Sequence, residues 1–259
     1  MYAYCDCFHF STFLCLILVF VCLTAGCVVI LLSAFPSSDE TIPKFITFMT
    51  SLLILGAGGH ARVIAETAVA QACFSNIAFL DDCCIHKSHH TKILGLPILG
   101  PLQSAMQTSM SNSFSAAIVG IGRSDIRLHW LDILRSFGYH LPPIVHPNAW
   151  VSPSATLGAG SVVFAQASLQ AQASIGIGSI LNTGCSVDHD SHLSDGVHVS
   201  PGASLAGGVH VGARSWIGIG ASVIQDICIG SDVTVGAGAA VINDLPNGIT
   251  AVGVPATPL

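Results

Sequence analysis

An Asp-His-Asp triplet, Asp188-His189-Asp190, stands out in a chain in which only 8% of the residues are charged. A carboxylate beside a neutral imidazole fixes the tautomer of the ring and stabilises the imidazolium that forms when the ring takes up a proton. The triplet therefore predicts that His189 acts as a general base. A lone histidine is more often a solvated surface residue, but here four fall within 22 residues: His189, His192, His198 and His210.

A second candidate site is the turn Gly56-Ala57-Gly58-Gly59-His60-Ala61, between a predicted strand at 52–55 and a predicted helix at 62–72. Glycines let a ligand approach the backbone, and a helix N-terminus offers free N–H groups to an anion. Asp81 and Asp82 end the next predicted strand, 77–80, where they can accept hydrogen bonds from ribose or sugar hydroxyls. The alternative is a tight turn without a ligand.

The elements that carry this turn alternate between strand and helix. A further strand is predicted at 116–119 and a further helix at 124–137, and such alternation indicates a parallel sheet with right-handed crossovers. The domain, residues 49–143, spans about 95 residues, roughly one mononucleotide-binding half of a dinucleotide fold. A nucleotide-sugar therefore fits it better than NAD.

The triplet lies in a second kind of pattern. Every sixth residue from Val151 to Val241 is Val, Ile or Leu, without an insertion over sixteen positions. A helix has a period of 3.6 and a half-buried strand a period of 2, so a period of 6 indicates a β-helical solenoid. We predict a left-handed parallel β-helix over residues 144–259, with three hexads per 18-residue coil and about five coils.

The same spacing separates two of the histidines. His198 lies nine residues after His189, half a coil away, so the two side chains are expected to leave different faces of one chain. At a trimer interface, His189 of one subunit meets His198 of its neighbour. A non-catalytic scaffold remains the alternative for the repeat itself.

The rest of the chain limits the choice of partners. Only 8 Lys and Arg residues and a net charge of −6 argue against nucleic-acid binding. The ten cysteines contain no CxxC pair, which is typical of reduced thiols in a cytoplasmic protein. Within residues 1–48, the uncharged run 13–35 is long enough to span a bilayer. It is either a membrane anchor or part of an extension upstream of a true start at Met49.

Beyond these patterns, the chain resembles the bacterial sugar acyltransferases of the sialic-acid O-acetyltransferase and UDP-4-amino-sugar N-acetyltransferase family, which have hexapeptide repeats. The resemblance covers about 210 residues in collinear order. It rests on GAGGHARVI (56–64), FLDD (79–82), IG (121–122), HPNAWVSPSA (146–155), LNT (181–183), DHD (188–190), PGASLAGGVHVG (201–212) and GVPA (253–256).

The resemblance implies a homotrimeric, acetyl-CoA-dependent enzyme that acts on the amine or hydroxyl of a nucleotide-activated or sialic-acid-type sugar in surface-glycan biosynthesis. It implies that His189 is the base and that Asp190 raises its basicity. It further implies contacts to acyl-CoA from His198, Ile219 and Ala237. The residues implied to bind the nucleotide-sugar are Gly58, Gly59, His60, Asp81, Asp82 and Gly122.

Two departures and one exclusion complete the comparison with that family. Arg123 and Ser124 stand where the family has an Asn-rich polar turn, which puts the nucleotide or sugar preference in doubt. No metal is expected, because no two histidines here have the five-residue spacing of the zinc-binding members among hexapeptide β-helices. Acyl transfer to a non-sugar acceptor such as serine remains an alternative activity.

Overall fold

The computed structural model describes residues 50–82 and 92–259. All of these described residues belong to one compact unit. The apolar run at 13–35 lies outside the described residues, so both interpretations of it stay predictions. Among the residues that are described, no helix combines the length and the apolar character needed to cross a bilayer.

The first part of the unit is an α/β domain built on a parallel sheet. Its elements are β1 (Thr50–Leu55), α1 (Gly59–Gln71), β2 (Phe74–Leu80), β3 (Lys92–Ile93), β4 (Leu96–Pro97), a 3-10 helix (Leu102–Met106), α2 (Thr108–Ser113), β5 (Ala116–Val119) and α3 (Ser124–Ser136). The strand order is β2-β1-β5, all parallel. The predicted parallel sheet is confirmed, although α1 begins at Gly59 rather than at residue 62.

Alternate residues of β1 point to opposite faces of the sheet, as in any pleated strand, and each face is covered by a different helix. Leu52 and Ile54 join the cluster that contains Ile64 of α1. Leu53 and Leu55 join the cluster that contains Leu131 of α3. The sheet is therefore buried on both faces, which explains its continuous apolar strands.

The second part is a parallel β-helix, as predicted, and all but one of its strands have two residues. Its strands are β6 (Ile144–Val145), β7 (Trp150–Val151), β8 (Thr156–Leu157), β9 (Val162–Val163), β10 (Ser168–Leu169), β11 (Ser174–Ile175), β12 (Ile180–Leu181), β13 (Ser186–Val187), β14 (His192–Leu193), β15 (His198–Val199), β16 (Ser204–Leu205), β17 (His210–Val211), β18 (Trp216–Ile217), β19 (Ser222–Val223), β20 (Cys228–Ile229), β21 (Thr234–Val235), β22 (Ala240–Val241), β23 (Thr250–Val252) and β24 (Thr257–Pro258).

These strands form three faces. Face 1 holds β6, β9, β12, β15, β18, β21, β23 and β24; face 2 holds β7, β10, β13, β16, β19 and β22; face 3 holds β8, β11, β14, β17 and β20. Neighbouring strands in a face pair in register at an 18-residue spacing, as in Ile180, His198 and Trp216. The second residue of each strand from β6 to β23 points inward, and the buried aliphatic column forms the core.

The solenoid is longer than the five coils predicted, because face 2 alone holds six strands. Its first strand is β6, one hexad before Val151. Its last coil is shorter than 18 residues, since Val235 pairs with Ala251. The hexad phase ends at Val241 for this reason.

Helix α3 docks on one corner of the β-helix. Gly160, Gly178 and Gly196 occupy equivalent turn positions with positive φ, and a Cβ on any of them would lie within 2.9 Å of Leu131 or Leu128. At the same position in later coils stand Arg214 and Asp232. Glycine thus occurs where the helix packs and gives way to charged residues beyond it.

Candidate active site

The glycine-rich turn lines a pocket of about 390 Å³ at the carboxyl ends of β1, β2 and β5. Its lining includes all six residues predicted to bind the nucleotide-sugar: Gly58, Gly59, His60, Asp81, Asp82 and Gly122. Gly58, Gly59 and Gly122 all have φ outside the positive range, and a Cβ on any of them would meet no described atom within 4 Å. The fold itself does not demand glycine at these three positions, whereas a ligand approaching the backbone would.

The two aspartates hold the walls of this pocket. Asp81 Oδ2 accepts a hydrogen bond from the backbone N–H of Ala57, at 2.6 Å. Asp82 Oδ1 accepts one from the backbone N–H of Leu102, at 2.9 Å. Both carboxylates therefore shape the pocket, and both residues line it.

His60 also lines the pocket. Its ring meets Phe164 of the β-helix edge to face, with the ring centroids 5.5 Å apart. Its Nε2 atom is buried and has no hydrogen-bond partner among the described residues. Burial, with smaller contributions from the charge of Arg127 and from His198, lowers the pKa of His60 to about 3. The imidazole is thus neutral at physiological pH.

A second groove, of about 500 Å³, adjoins the pocket through the shared residue Gly122. Its lining includes the start of α3 together with His198 and Trp216 of face 1. The rings of these two residues stack, with centroids 5.6 Å apart and planes 3° from parallel. His198 Nε2 also lies 3.2 Å from Asn182 Nδ2. Burial, followed by the charge of Arg127, lowers the pKa of His198 to about 4.

His189 occupies a different part of the solenoid, the turn between β13 on face 2 and β14 on face 3. Its Nδ1 atom lies 2.8 Å from Asp190 Oδ2, and its backbone N–H donates to Asp188 Oδ1 at 2.7 Å. The side chain is 62% exposed. The hydrogen bond to Asp190 is the main cause that raises the pKa of His189 above its ordinary value. With Nδ1–H donated to Asp190, Nε2 is the atom that can accept a proton.

The imidazole of His189 lies over Gly207, one coil along. A Cβ on Gly207 would fall 2.5 Å from Cε1 and 2.7 Å from Nε2 of the ring. The φ of Gly207 is not positive, so backbone conformation does not require glycine there. The contact with the ring does.

Two of the residues implied to contact acyl-CoA lie at equivalent turn positions one coil apart. Ile219 follows β18 and Ala237 follows β21, and Gly238 N–H donates to the Ile219 carbonyl at 2.8 Å. Ile219 is 61% exposed. His198 lies on face 1 itself rather than in this turn column, so the three residues border the same side of the solenoid without forming one cluster.

The structure thus collects the predicted sugar-binding residues into one pocket, whereas His189 lies on the turn opposite face 1. The expectation that His189 and His198 leave different faces of one chain agrees with their strands. Sequence reasoning missed Trp216, Asn182 and Gly207. The 18-residue register was the signal for Trp216 and Gly207, which stand one coil after His198 and His189. Over the described ranges, no three His, Cys, Asp or Glu side chains are grouped as metal ligands.

Comparison with known proteins extends these observations. The family model of the PglD N-terminal domain matches residues 51–134. The acetyltransferase domain of PglB from Neisseria gonorrhoeae, solved in complex with acetyl coenzyme A, is 41% identical; the match covers 81% of this chain and 99% of that one, with a TM-score of 0.76. No curated protein sequence matches the chain.

Two further structures match over the same share of the chain. One is a perosamine N-acetyltransferase from Caulobacter crescentus, with a histidine replaced by asparagine, in complex with CoA and GDP-perosamine; it is 37% identical, with 81% of this chain and 96% of that one covered and a TM-score of 0.75. The other is WeeI from Acinetobacter baumannii, 26% identical, with coverage of 81% and 99% and a TM-score of 0.72.

Proposed function

The chain belongs to the hexapeptide-repeat sugar N-acetyltransferases, and from that premise we propose that it transfers the acetyl group of acetyl-CoA to the amine of a nucleotide-linked amino-sugar. The observation that carries the proposal is the His189–Asp190 pair, whose Nε2 atom points away from its carboxylate partner on an exposed turn. The perosamine relative, which binds CoA and a GDP-linked sugar, supports an amine over a hydroxyl as the acceptor.

The pocket supports a nucleotide-linked acceptor. Three glycines leave open backbone where a phosphate can approach, and α1 begins at Gly59 with no acidic residue in its first turn and no side-chain cap. Its free N–H groups and positive dipole end suit a diphosphate. Asp81 and Asp82 line the same pocket and suit ribose or sugar hydroxyls.

The chemistry follows from the imidazole. His189 Nε2 removes a proton from the sugar amine as the nitrogen attacks the thioester carbonyl carbon. The tetrahedral intermediate collapses with cleavage of the carbon–sulfur bond, and the proton held on His189 passes to the departing CoA thiolate. Amide and free thiol are the products, without a covalent acyl-enzyme. Asp190 stabilises the transient imidazolium through its hydrogen bond to Nδ1.

We further propose that the complete site forms between subunits of a homotrimer. In one chain, the pocket and the His198 groove border face 1, and His189 stands on the opposite turn. The column of turn residues beside His189 continues into exposed Ile224 and Ile242. A cyclic trimer joins two different patches of each subunit. It therefore brings the His189 turn of one chain to the pocket side of the next.

The activity is tested on the full chain with acetyl-CoA and a panel of UDP- and GDP-linked 4-amino-sugars and sialic acids, with free thiol as the readout. We expect thiol release with an amino-sugar and a loss of roughly 10²- to 10⁴-fold in His189→Ala, the range for removal of a general base. Release with sialic acid alone would reassign the enzyme to O-acetylation. Equal release by His189→Ala would contradict the role of the imidazole.

The shared site is tested by mixing two inactive variants. His189→Ala removes the base, and Gly122→Val adds a side chain to the wall of the pocket, at a position where a Cβ would meet no described atom within 4 Å. In randomly mixed trimers about one interface in four joins two intact halves, so we expect about a quarter of the activity to return. A mixture that stays as inactive as either variant alone would place the whole site in one chain.

The two interpretations of residues 13–35 also separate experimentally. A membrane anchor keeps the chain in the membrane fraction after a high-salt wash. An extension upstream of the true start instead gives a protein whose N-terminal peptide, by mass spectrometry of the natural source, begins at Met49.

A further inference from the structure

Arg127, on α3, is a buried cation that forms no salt bridge with the described residues. Its side chain is 1% exposed, and every hydrogen bond it makes ends on a backbone carbonyl. Burial lowers the pKa of Arg127 to about 10, so the guanidinium stays charged at neutral pH. A buried charge is retained only where its hydrogen bonds are met, and carbonyl oxygens meet them here.

The guanidinium divides its hydrogen bonds between two parts of the molecule. Nε donates to the Gly178 carbonyl at 2.6 Å and Nη2 donates to the Gly196 carbonyl at 3.0 Å. Both carbonyls belong to the β-helix corner on which α3 docks. Nη1 donates to the carbonyls of Ile121 and Gly122, at 3.0 and 2.6 Å. Arg127 therefore ties the loop after β5 to two successive coils.

That loop forms part of both cavities. Gly120, Ile121 and Gly122 line the pocket, and Gly122 also lines the groove that contains His198. Gly120 is fixed on its other side, because its N–H donates to the Leu55 carbonyl at 2.7 Å and a Cβ there would overlap Ala61. Ile121 and Gly122 extend beyond this anchor, and Arg127 is what holds their carbonyls.

We propose that Arg127 is a positioning residue that shapes the nucleotide-sugar pocket by holding the Ile121–Gly122 loop at a fixed place on the β-helix. This rests on the proposed function only in naming the ligand. The planar guanidinium of an arginine can donate hydrogen bonds to carbonyls on two sides at once, whereas a lysine donates all of its hydrogen bonds from one nitrogen atom. Without the guanidinium, we expect the helix to stay docked through Leu128 and Leu131 and the loop to move.

The experiment compares Arg127→Met and Arg127→Lys with Leu128→Ala. Leu128 packs beside Gly196 and makes no side-chain hydrogen bond to the loop, so its truncation weakens docking alone. The lysine variant keeps a charge at this site and guards against a methionine variant that fails to fold. Two quantities are measured on the full chain: amide hydrogen exchange of the segment 116–123 without ligand, and KM for nucleotide-sugar and for acetyl-CoA.

We expect both Arg127 variants to speed exchange in that segment and to raise KM for the nucleotide-sugar about tenfold. The change in KM for acetyl-CoA should be smaller, because only Gly122 of this loop also lines the groove that contains His198. Leu128→Ala should lower the melting temperature without this split. Exchange and both KM values that change equally in the Arg127 and Leu128 variants would reduce Arg127 to a docking residue and overturn the proposal. Absence of turnover by the wild type would refute the proposed function, and exchange alone would then decide whether Arg127 holds the loop.

Discussion

The two halves of the candidate site are built in opposite ways. The concave half holds the pocket and the adjoining groove, and its histidines His60 and His198 are kept neutral by burial and by the nearby charge of Arg127. The base-bearing half is an exposed turn on which a carboxylate raises the pKa of His189. Under the proposed function, the first half binds and orients the substrate, and the second takes up a proton. Their separation within one chain is the reason for proposing that a homotrimer joins the two surfaces.

The largest effect is expected in the exposed half, at Gly207, which lies against the ring of His189. Gly207→Ala places a methyl group where the His189 ring lies, so the ring must turn away and lose Asp190, while every predicted catalytic residue remains. We expect kcat to fall by roughly 10²-fold or more, as for loss of a general base, with an unchanged melting temperature. Gln225→Ala, at the next position of the same column, is the control. A normal kcat for Gly207→Ala would mean that the ring does not act in this orientation.

The next prediction concerns the concave half, which depends on the packing of α3 against the β-helix. Gly178→Ala combines a positive φ of 61° with a Cβ 2.6 Å from Leu131 Cδ1. Left-handed strain and overpacking together should lower the free energy of unfolding by about 2 to 5 kcal/mol. Gly184→Ala has a similar φ, 65°, and nothing within 4 Å, so it measures strain alone. If urea denaturation gave the same loss of unfolding free energy for both variants, α3 would not be packed tightly against this corner of the β-helix.

Acidification sharpens the contrast between the histidines. The pKa values of His60 and His198 are lowered in the folded protein, to about 3 and about 4. The stability that these neutral rings confer is complete above the unfolded value of 6.5 and is lost as the pH falls towards the folded values. Each group should contribute a slope of about 1.4 kcal/mol per pH unit between them. Denaturation from pH 7 to 4.5 should show this slope reduced in His60→Gln and in His198→Gln, and an unchanged slope would contradict the burial of both rings.

The smallest effect concerns the partner of the base. Asp190 adopts a φ of 58°, which asparagine tolerates, so Asp190→Asn keeps the turn and removes the charge. The pKa of His189 should fall back towards its ordinary value, and the acid limb of the kcat profile should move to lower pH, with kcat reduced about tenfold. Asp226→Asn, with φ 59° in the same turn column, should shift the limb far less. Equal shifts would mean that Asp190 acts only as one charge among several.

Much of the fold follows from periodicity. A period of six identifies the solenoid because the inward side chain of every strand must be aliphatic, and all of these residues are buried except Val151 and Leu157 at its first coil. The shortened last coil was not predicted from the period. Val235 pairs with Ala251, so the hexad phase shifts by two residues there. No local sequence pattern indicates that shift.

The parts of the candidate site that could be predicted come from one loop or from neighbouring strands of one sheet. The glycine-rich turn and Asp81 belong to neighbouring strands of one sheet, so their meeting follows from topology. Arg127 was not predictable, because a lone arginine on an amphipathic helix is typical of a solvated surface. Its buried partners are the carbonyls of Gly178 and Gly196, 51 and 69 residues away.

The left-handed turn at Asp190 also bears on how such a base can arise. The corner of each coil favours residues that tolerate positive φ, above all Gly, Asn and Asp, and the corner two coils later carries Asp226 in the same conformation. A carboxylate at this corner is therefore compatible with the turn conformation, whether or not a histidine precedes it. A histidine one position earlier suffices to make the pair, so Gln225→His should recreate it at a second height on the same edge. Because the same turn recurs every 18 residues, the histidine–aspartate pair can be placed on another coil in the same local geometry.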